Sequence, residues 1–216
     1  MKRFCITLGL LLLILVGFAQ PIDPSKYSSP IKVACIGNSI TYGSGINDRP
    51  RDSYPAQLQR MLGDKWVVRN FGISARTMLK KGDFPFWNEE AYAQAKAFLP
   101  DVVIIKLGTN DTKPQNWKFS SEFYTDYLAM VTELKKLASH PRIFVCKPVP
   151  VYASRWGIND SIVIHGVIPA IEKVARKEKL PVVDLFTALK DKPSLFPDQI
   201  HPNAEGAGLM AKTIYK

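Results

Sequence analysis

Four separated blocks of this sequence carry residue types that could do chemistry together. Ser39 lies in the stretch Ile31 to Gly45 (IKVACIGNSITYGSG), where an apolar run stops at Gly37 and the chain turns. A serine in such a turn can cap a helix, join backbone N–H groups around a phosphate, or act as a nucleophile with those N–H groups aimed at an oxyanion. Downstream, Asn70-Phe71-Gly72 offers a glycine whose bare N–H can approach a ligand, and Gly108-Thr109-Asn110-Asp111 offers a side-chain amide. Near the C-terminus Asp198 and His201 stand three residues apart, close enough for the acid to orient the ring. A nucleophilic serine needs a base, a group that holds the base in one tautomer, and donors where negative charge develops. Ser39, His201, Asp198 and donors at Gly72 and Asn110 supply every part. A flavodoxin-like phosphate loop would need none of the last four, so the nucleophile reading outranks it.

These blocks must be carried to one place, and the elements between them suggest how. Val33 to Ile36 is nearly continuously apolar, the pattern of a strand buried on both faces of a parallel sheet. Further strands are expected at Trp66 to Phe71, Asp101 to Leu107, Arg142 to Lys147 and Pro181 to Leu185, each preceded by a helix-like segment. Apolar residues from Phe123 to Leu137 recur at three- and four-residue spacing, predicting an amphipathic helix over Ser121 to Ala138. Shorter helices are expected at Tyr54 to Leu62, Glu89 to Leu99 and Asn203 to Tyr215, and Ile162 to Glu178 contains Pro169, which kinks a helix or begins one. In such a doubly wound sheet the loops after successive strands meet along one edge. The Ser39, Gly72 and Asn110 blocks each follow a predicted strand.

The 216 residues predict one catalytic domain over residues 31–216, preceded by an irregular, proline-containing arm over 20–30. Lys2 and Arg3, an apolar run from Ile6 and the small residues of Gly17-Phe18-Ala19 read as a cleaved signal peptide over residues 1–19, with export to the periplasm or beyond. The run is shorter than the ~20 residues that span a bilayer, so no stable membrane anchor is expected after cleavage. Loss of Lys2 and Arg3 lowers the formal charge from +10 to +8. The remaining basic residues are scattered among acids without aromatic interleaving, which favours solvated helix faces over nucleic-acid binding. No metal or cofactor is expected, since neither His140 nor His165 has an acid or cysteine at ligand spacing.

Taken in order, Gly37-Asn38-Ser39-Ile40-Thr41, Gly72, Gly108-x-Asn110-Asp111 and Asp198-x-x-His201-Pro202 resemble the SGNH (GDSL-like) hydrolase superfamily. The likeness runs from Ile31 to the last helix. It implies a three-layer, flavodoxin-like α/β sandwich whose five parallel strands lie in the order 2-1-3-4-5 with helices on both faces. It also implies Ser39 as nucleophile, His201 as base, Asp198 as its partner, and an oxyanion hole of the Ser39 and Gly72 N–H groups with the Asn110 side chain. Asn38 departs from the family's usual aspartate. Closer similarity of GNSITYG, RNFG and LGTNDTKPQNW is to secreted bacterial sialate O-acetylesterase-type and related carbohydrate deacetylases, implying an acetylated carbohydrate or other small ester as substrate. Lysophospholipase or thioesterase activity, and a carbohydrate-binding protein without turnover, are the alternatives. In that strand order Cys35 and Cys146 stand two strand spacings apart, roughly 9.5 Å, too far for a disulfide.

Loop aromatics on the expected active edge are candidates for stacking on a sugar: Trp87, Trp117, Tyr152 and Trp156. Lys80 to Asp83, Lys113 to Trp117 and Tyr152 to Trp156 mix hydrogen-bonding groups with isolated aromatics, the chemistry of a shallow sugar site rather than of an acyl trough. Asp111 either braces the Asn110 loop or forms a simple turn.

Overall fold

The computed structural model describes residues 21–216; the expected signal peptide lies outside them. Five parallel strands form one sheet: β1 (Ile31–Gly37), β2 (Trp66–Gly72), β3 (Val102–Lys106), β4 (Arg142–Lys147) and β5 (Val182–Asp184). Their order is β2-β1-β3-β4-β5, as the resemblance implied. Between and after them run α1 (Ser39–Tyr42), α2 (Tyr54–Leu62), α3 (Glu90–Ala97), α4 (Ser120–Lys135), α5 (Ile168–Glu178), α6 (Leu185–Leu189) and α7 (Ala204–Tyr215), with shorter turns in the connections.

The alternation along each strand divides the core in two. Ala34, Ile36, Val103, Ile105, Ile143 and Val145 face α3, α4 and α5, where Tyr92, Phe123, Tyr127, Met130 and Val174 are buried. Val33, Cys35, Val102, Ile104 and Cys146 face the other way, onto Tyr54 and Leu58 of α2, Leu185 and Leu189 of α6, and Met210 of α7. Each fully buried large side chain contributes about 1.5–3 kcal/mol, so the two layers hold the sheet without crosslinks. Cys35 and Cys146 are free and buried on β1 and β4, separated by β3.

Pro169 lies just after a change of helix type within a helical run that begins at Asp160. A π-helical stretch over Val163–Val167 leads into α5, which places the proline, lacking an N–H, in the first turn. Several basic side chains meet acids across neighbouring elements, as in Lys135–Glu178 and Lys147 with Glu172 and Asp184.

Strand register sets the site. Gly37 pairs with Gly72 on one side and Lys106 on the other, so β1, β2 and β3 end level and release their loops together.

Candidate active site

Ser39 opens α1 directly after β1. Asn38 caps the helix, its side-chain oxygen accepting from the Ile40 N–H at 3.1 Å, and Gly43 closes the turn in the left-handed region at φ 96°. Gly37 allows this tight exit, because a Cβ there would strike the Thr41 side chain and the Lys106 carbonyl. Ser39 is 9% exposed. Its hydroxyl lies 2.8 Å from His201 Nε2, and His201 Nδ1 lies 2.6 Å from Asp198 Oδ2.

The Asp198–His201 unit is held by its own backbone. Gln199 adopts φ 71°, and the turn lets Asp198 Oδ1 accept from the Ile200 N–H at 2.9 Å and the His201 N–H at 2.7 Å. Burial works to raise the Asp198 pKa, but the His201 N–H, the His201 ring and the Ile200 N–H outweigh it and hold the carboxyl below its ordinary value. With Asp198 ionised, the Nδ1 proton faces the carboxylate and the Nε2 lone pair faces Ser39. That arrangement can deprotonate a serine as it attacks a carbonyl.

The donor side is more mixed. Asn110 is buried, and its Nδ2 donates to the Arg76 carbonyl at 3.2 Å, which leaves its second N–H for another acceptor. The Gly72 N–H is engaged instead by Asn70 Oδ1 at 2.9 Å. What Gly72 provides is room: a Cβ there would meet the Tyr42 N and Thr41 backbone beneath α1. Ala75, absent from the sequence reading, sits at φ 68° between Ser74, whose Oγ is 3.1 Å from Ser44 Oγ, and Arg76, which faces Asn110. Among the described residues nothing accepts from its N–H. An alanine in the left-handed region carries no one-dimensional signal.

Behind these loops the polar groups are braced. Asp111 accepts from the Leu79 N–H at 2.7 Å and the Met78 N–H at 3.1 Å, and burial, against those two bonds, pushes it up to about 7. Asn116 donates to the Asn110 carbonyl and to Asp83 Oδ1, both at 2.9 Å. Asp111 therefore braces the loop.

Of the four candidate aromatics, one stands at the site. Trp156 is 56% exposed, adopts φ 54°, and places its ring centroid 5.8 Å from that of His201. Arg155 lies over it at 4.6 Å and donates to the Asp198 carbonyl at 3.4 Å. Trp87 instead packs on Tyr92 and donates to the Met78 carbonyl. Trp117 packs on Phe123 and fills the space beside Gly166. Tyr152 packs on Phe196, its hydroxyl bonded to the Leu189 carbonyl and the Lys192 N–H. These three serve the scaffold. So do Lys81, paired with Glu122 at 2.7 Å, and Asp83, held by Asn116. A cleft of about 670 Å³ opens between Tyr42, Arg49, Gln59 and Gln94, but neither Ser39, His201 nor Asn110 lines it.

The family model for the GDSL-like lipase/acylhydrolase family matches residues 35–209, and the chain belongs to that family. An acetylxylan esterase from Xylanibacter ruminicola is 46% identical over 209 residues, covering 88% of this chain and 44% of that protein. The chain thus spans less than half the length of this curated relative. Among solved structures, a carbohydrate acetylesterase from Sinorhizobium meliloti superposes with a TM-score of 0.70 at 19% identity, covering 86% of this chain and 96% of that one. The native aryl esterase of M. smegmatis gives 0.69 at 19%, with the same coverage. At such identities the likeness speaks for the fold.

Proposed function

We propose that this chain is a serine esterase that removes O-acetyl groups from carbohydrate through an acetyl-enzyme on Ser39. The observation that carries the reading is the continuous relay from Ser39 Oγ through the two nitrogens of His201 to Asp198, at 2.8 and 2.6 Å. Ser39 attacks the acetyl carbonyl while His201 Nε2 takes its proton. Asp198 keeps the ring in the receptive tautomer and stabilises its cation. The tetrahedral oxyanion is met by the Ser39 N–H, an orphan donor of the first turn of α1, and by the free Asn110 N–H. With the Gly72 N–H engaged, the Ala75 N–H completes the hole. His201 then protonates the departing sugar hydroxyl, and water, deprotonated by the same ring, releases acetate.

Carbohydrate as the alcohol is supported by the 46% identity to the acetylxylan esterase and by the exposed Trp156 beside His201, a flat apolar face for a sugar ring. Acetylated xylan heads the candidate substrates, ahead of O-acetylated sialic acid. Export, signalled by residues 1–19, would bring the enzyme to such polymers.

The test is acetate release from acetylated xylo-oligosaccharides and O-acetylated sialosides, alongside p-nitrophenyl esters of increasing length. The reading expects acetate from a sugar and a kcat/KM that falls from acetyl to butyryl and is nearly lost at octanoyl. An enzyme with an acyl trough would gain up to ~0.8 kcal/mol per buried methylene. A rise toward octanoyl therefore replaces this reading with a lipase or thioesterase.

A further inference from the structure

Strand β3 ends its apolar run with a lysine, and that lysine has no exposure at all. Lys106 follows Val102 and Ile104 onto the sheet face that carries Cys35, Cys146 and Tyr54. Among the described residues no carboxylate lies within ion-pairing distance of its ammonium. An unpaired buried cation is costly, and a leucine or methionine would fill the same space. The position must therefore owe something to the charge or its hydrogen bonds.

Its two partners say what. The ammonium donates to Thr109 Oγ1 at 3.1 Å and to Asn38 Oδ1 at 3.4 Å. Asn38 is the cap of α1, the residue before Ser39; Thr109 is the residue before Asn110. One cation thus joins the turn that presents the serine to the turn that presents the amide. The Asn38 side-chain oxygen accepts from both Lys106 and the Ile40 N–H, and among the described residues its buried Nδ2 has no partner. A side chain free to choose would not leave a donor stranded.

We propose that Lys106 is a positioning residue for the esterase reaction: its ammonium clamps the Asn38 cap to the Thr109–Asn110 turn, fixing Ser39 Oγ and Asn110 Nδ2 on the same substrate carbonyl. The inference rests on the reading of Ser39 as nucleophile. Burial pushes the ammonium down to about 7, with the Cys146 thiol of β4 pulling the other way. The other titratable groups on that face are Cys35 of β1 and Tyr54 of α2, both pushed up by burial and so uncharged. Asp111, on the adjoining turn, is spent on Met78 and Leu79. The clamp accordingly loses its charge as pH rises through neutrality.

The experiment compares wild type, Lys106→Met and Thr109→Val for kcat and KM on p-nitrophenyl acetate across pH, and for the rate of Ser39 modification by a fluorophosphonate. Lys106→Met should lower kcat by about tenfold or more with KM within about twofold, the signature of lost alignment rather than lost binding. It should fold at least as stably as wild type and lose the decline in kcat that loss of the lysine's charge causes as pH rises above neutrality. Thr109→Val, which removes one arm of the clamp, should move kcat and the modification rate the same way by less. A folded Lys106→Met with wild-type kcat and pH profile overturns the inference. Should that variant not fold, Thr109→Val with unchanged kcat and modification rate at every pH overturns it instead. Failure of the wild type to label at Ser39 defeats the nucleophile reading itself; labelling at Ser39 with an indifferent Lys106→Met defeats only the clamp.

Discussion

The ground behind Ser39 and the ground in front of it are built differently. Behind it, Asn38, Lys106, Thr109, Asn110, Asp111 and Asn116 are all buried polar groups, tied to one another and to the backbone of residues 76–83. In front of it, Trp156 and Arg155 lean on the Asp198–His201 loop from solvent. Buried hydrogen-bonded polar groups fix geometry at a low local dielectric, where a misplaced or missing partner is expensive. An exposed aromatic fixes little but offers area to a passing ring. If the proposed esterase reading holds, alignment belongs to the back of the site and substrate recognition to the front, and changes in the two should separate in kcat and KM.

The largest effects belong to the relay that joins the two regions. His201→Ala should lower kcat on p-nitrophenyl acetate on the order of 10⁶-fold and Asp198→Ala on the order of 10⁴-fold. Steady-state rates measured with the folded variants check this ranking; an Asp198 variant as active as wild type would show that the ring needs no partner. Next comes the back. Asn110→Ala should cost about 10² to 10³ in kcat with KM little changed, because in the proposed mechanism its free N–H meets charge that exists only in the transition state. A loss confined to KM would move Asn110 into the recognition surface and erase the contrast.

Trp156→Ala sharpens the contrast from the other side. If a sugar ring on Trp156 contributes as much as an aromatic pair does, about 0.5–1.5 kcal/mol, KM for acetylated xylo-oligosaccharides should rise roughly two- to tenfold while kcat/KM on p-nitrophenyl acetate stays within about twofold. Equal losses on both substrates would mean that Trp156 works by holding His201 rather than by holding sugar. Trp156 also has a left-handed backbone, at φ 54°, uncommon for a bulky residue.

The last prediction concerns stability rather than rate: at the back, stability should depend on pH. Burial brings Lys106 from its ordinary 10.5 down to about 7 in the folded protein. Between those values the unfolded chain holds a proton that the folded chain has released, so wild-type stability gains with rising pH across that window. Lys106→Met lacks this gain. Its urea midpoint should exceed that of wild type at pH 7, and the margin should narrow toward pH 10. Parallel midpoints across the range would show that the lysine is not buried with its charge.

The frame of the molecule was readable because buried strands and amphipathic helices repeat at fixed periods. Tyr54–Leu62 falls where its spacing puts it, and the run ending at Gly37 delivers Ser39 as expected. The relay residues were readable because Asp198 and His201 need only three residues to meet. Side-chain direction in the loops was not. Trp87 and Trp156 both follow strands, yet one turns into the core and the other into solvent, a choice made by tertiary packing. Gly72 was misread for a related reason: a missing Cβ marks close approach without saying of what, and here it is the backbone of α1 rather than a ligand. Lys106 did leave a trace, as a charge inside the run DVVIIKL, where a strand buried on both faces should carry none.

The most direct test of the account is covalent labelling of the folded protein with a serine-directed fluorophosphonate, followed by peptide mapping. The account predicts a single modified residue, Ser39, with labelling slowed in Asp198→Ala and with both labelling and acetate release abolished in a folded Ser39→Ala. Undiminished hydrolysis by that Ser39→Ala variant would contradict it.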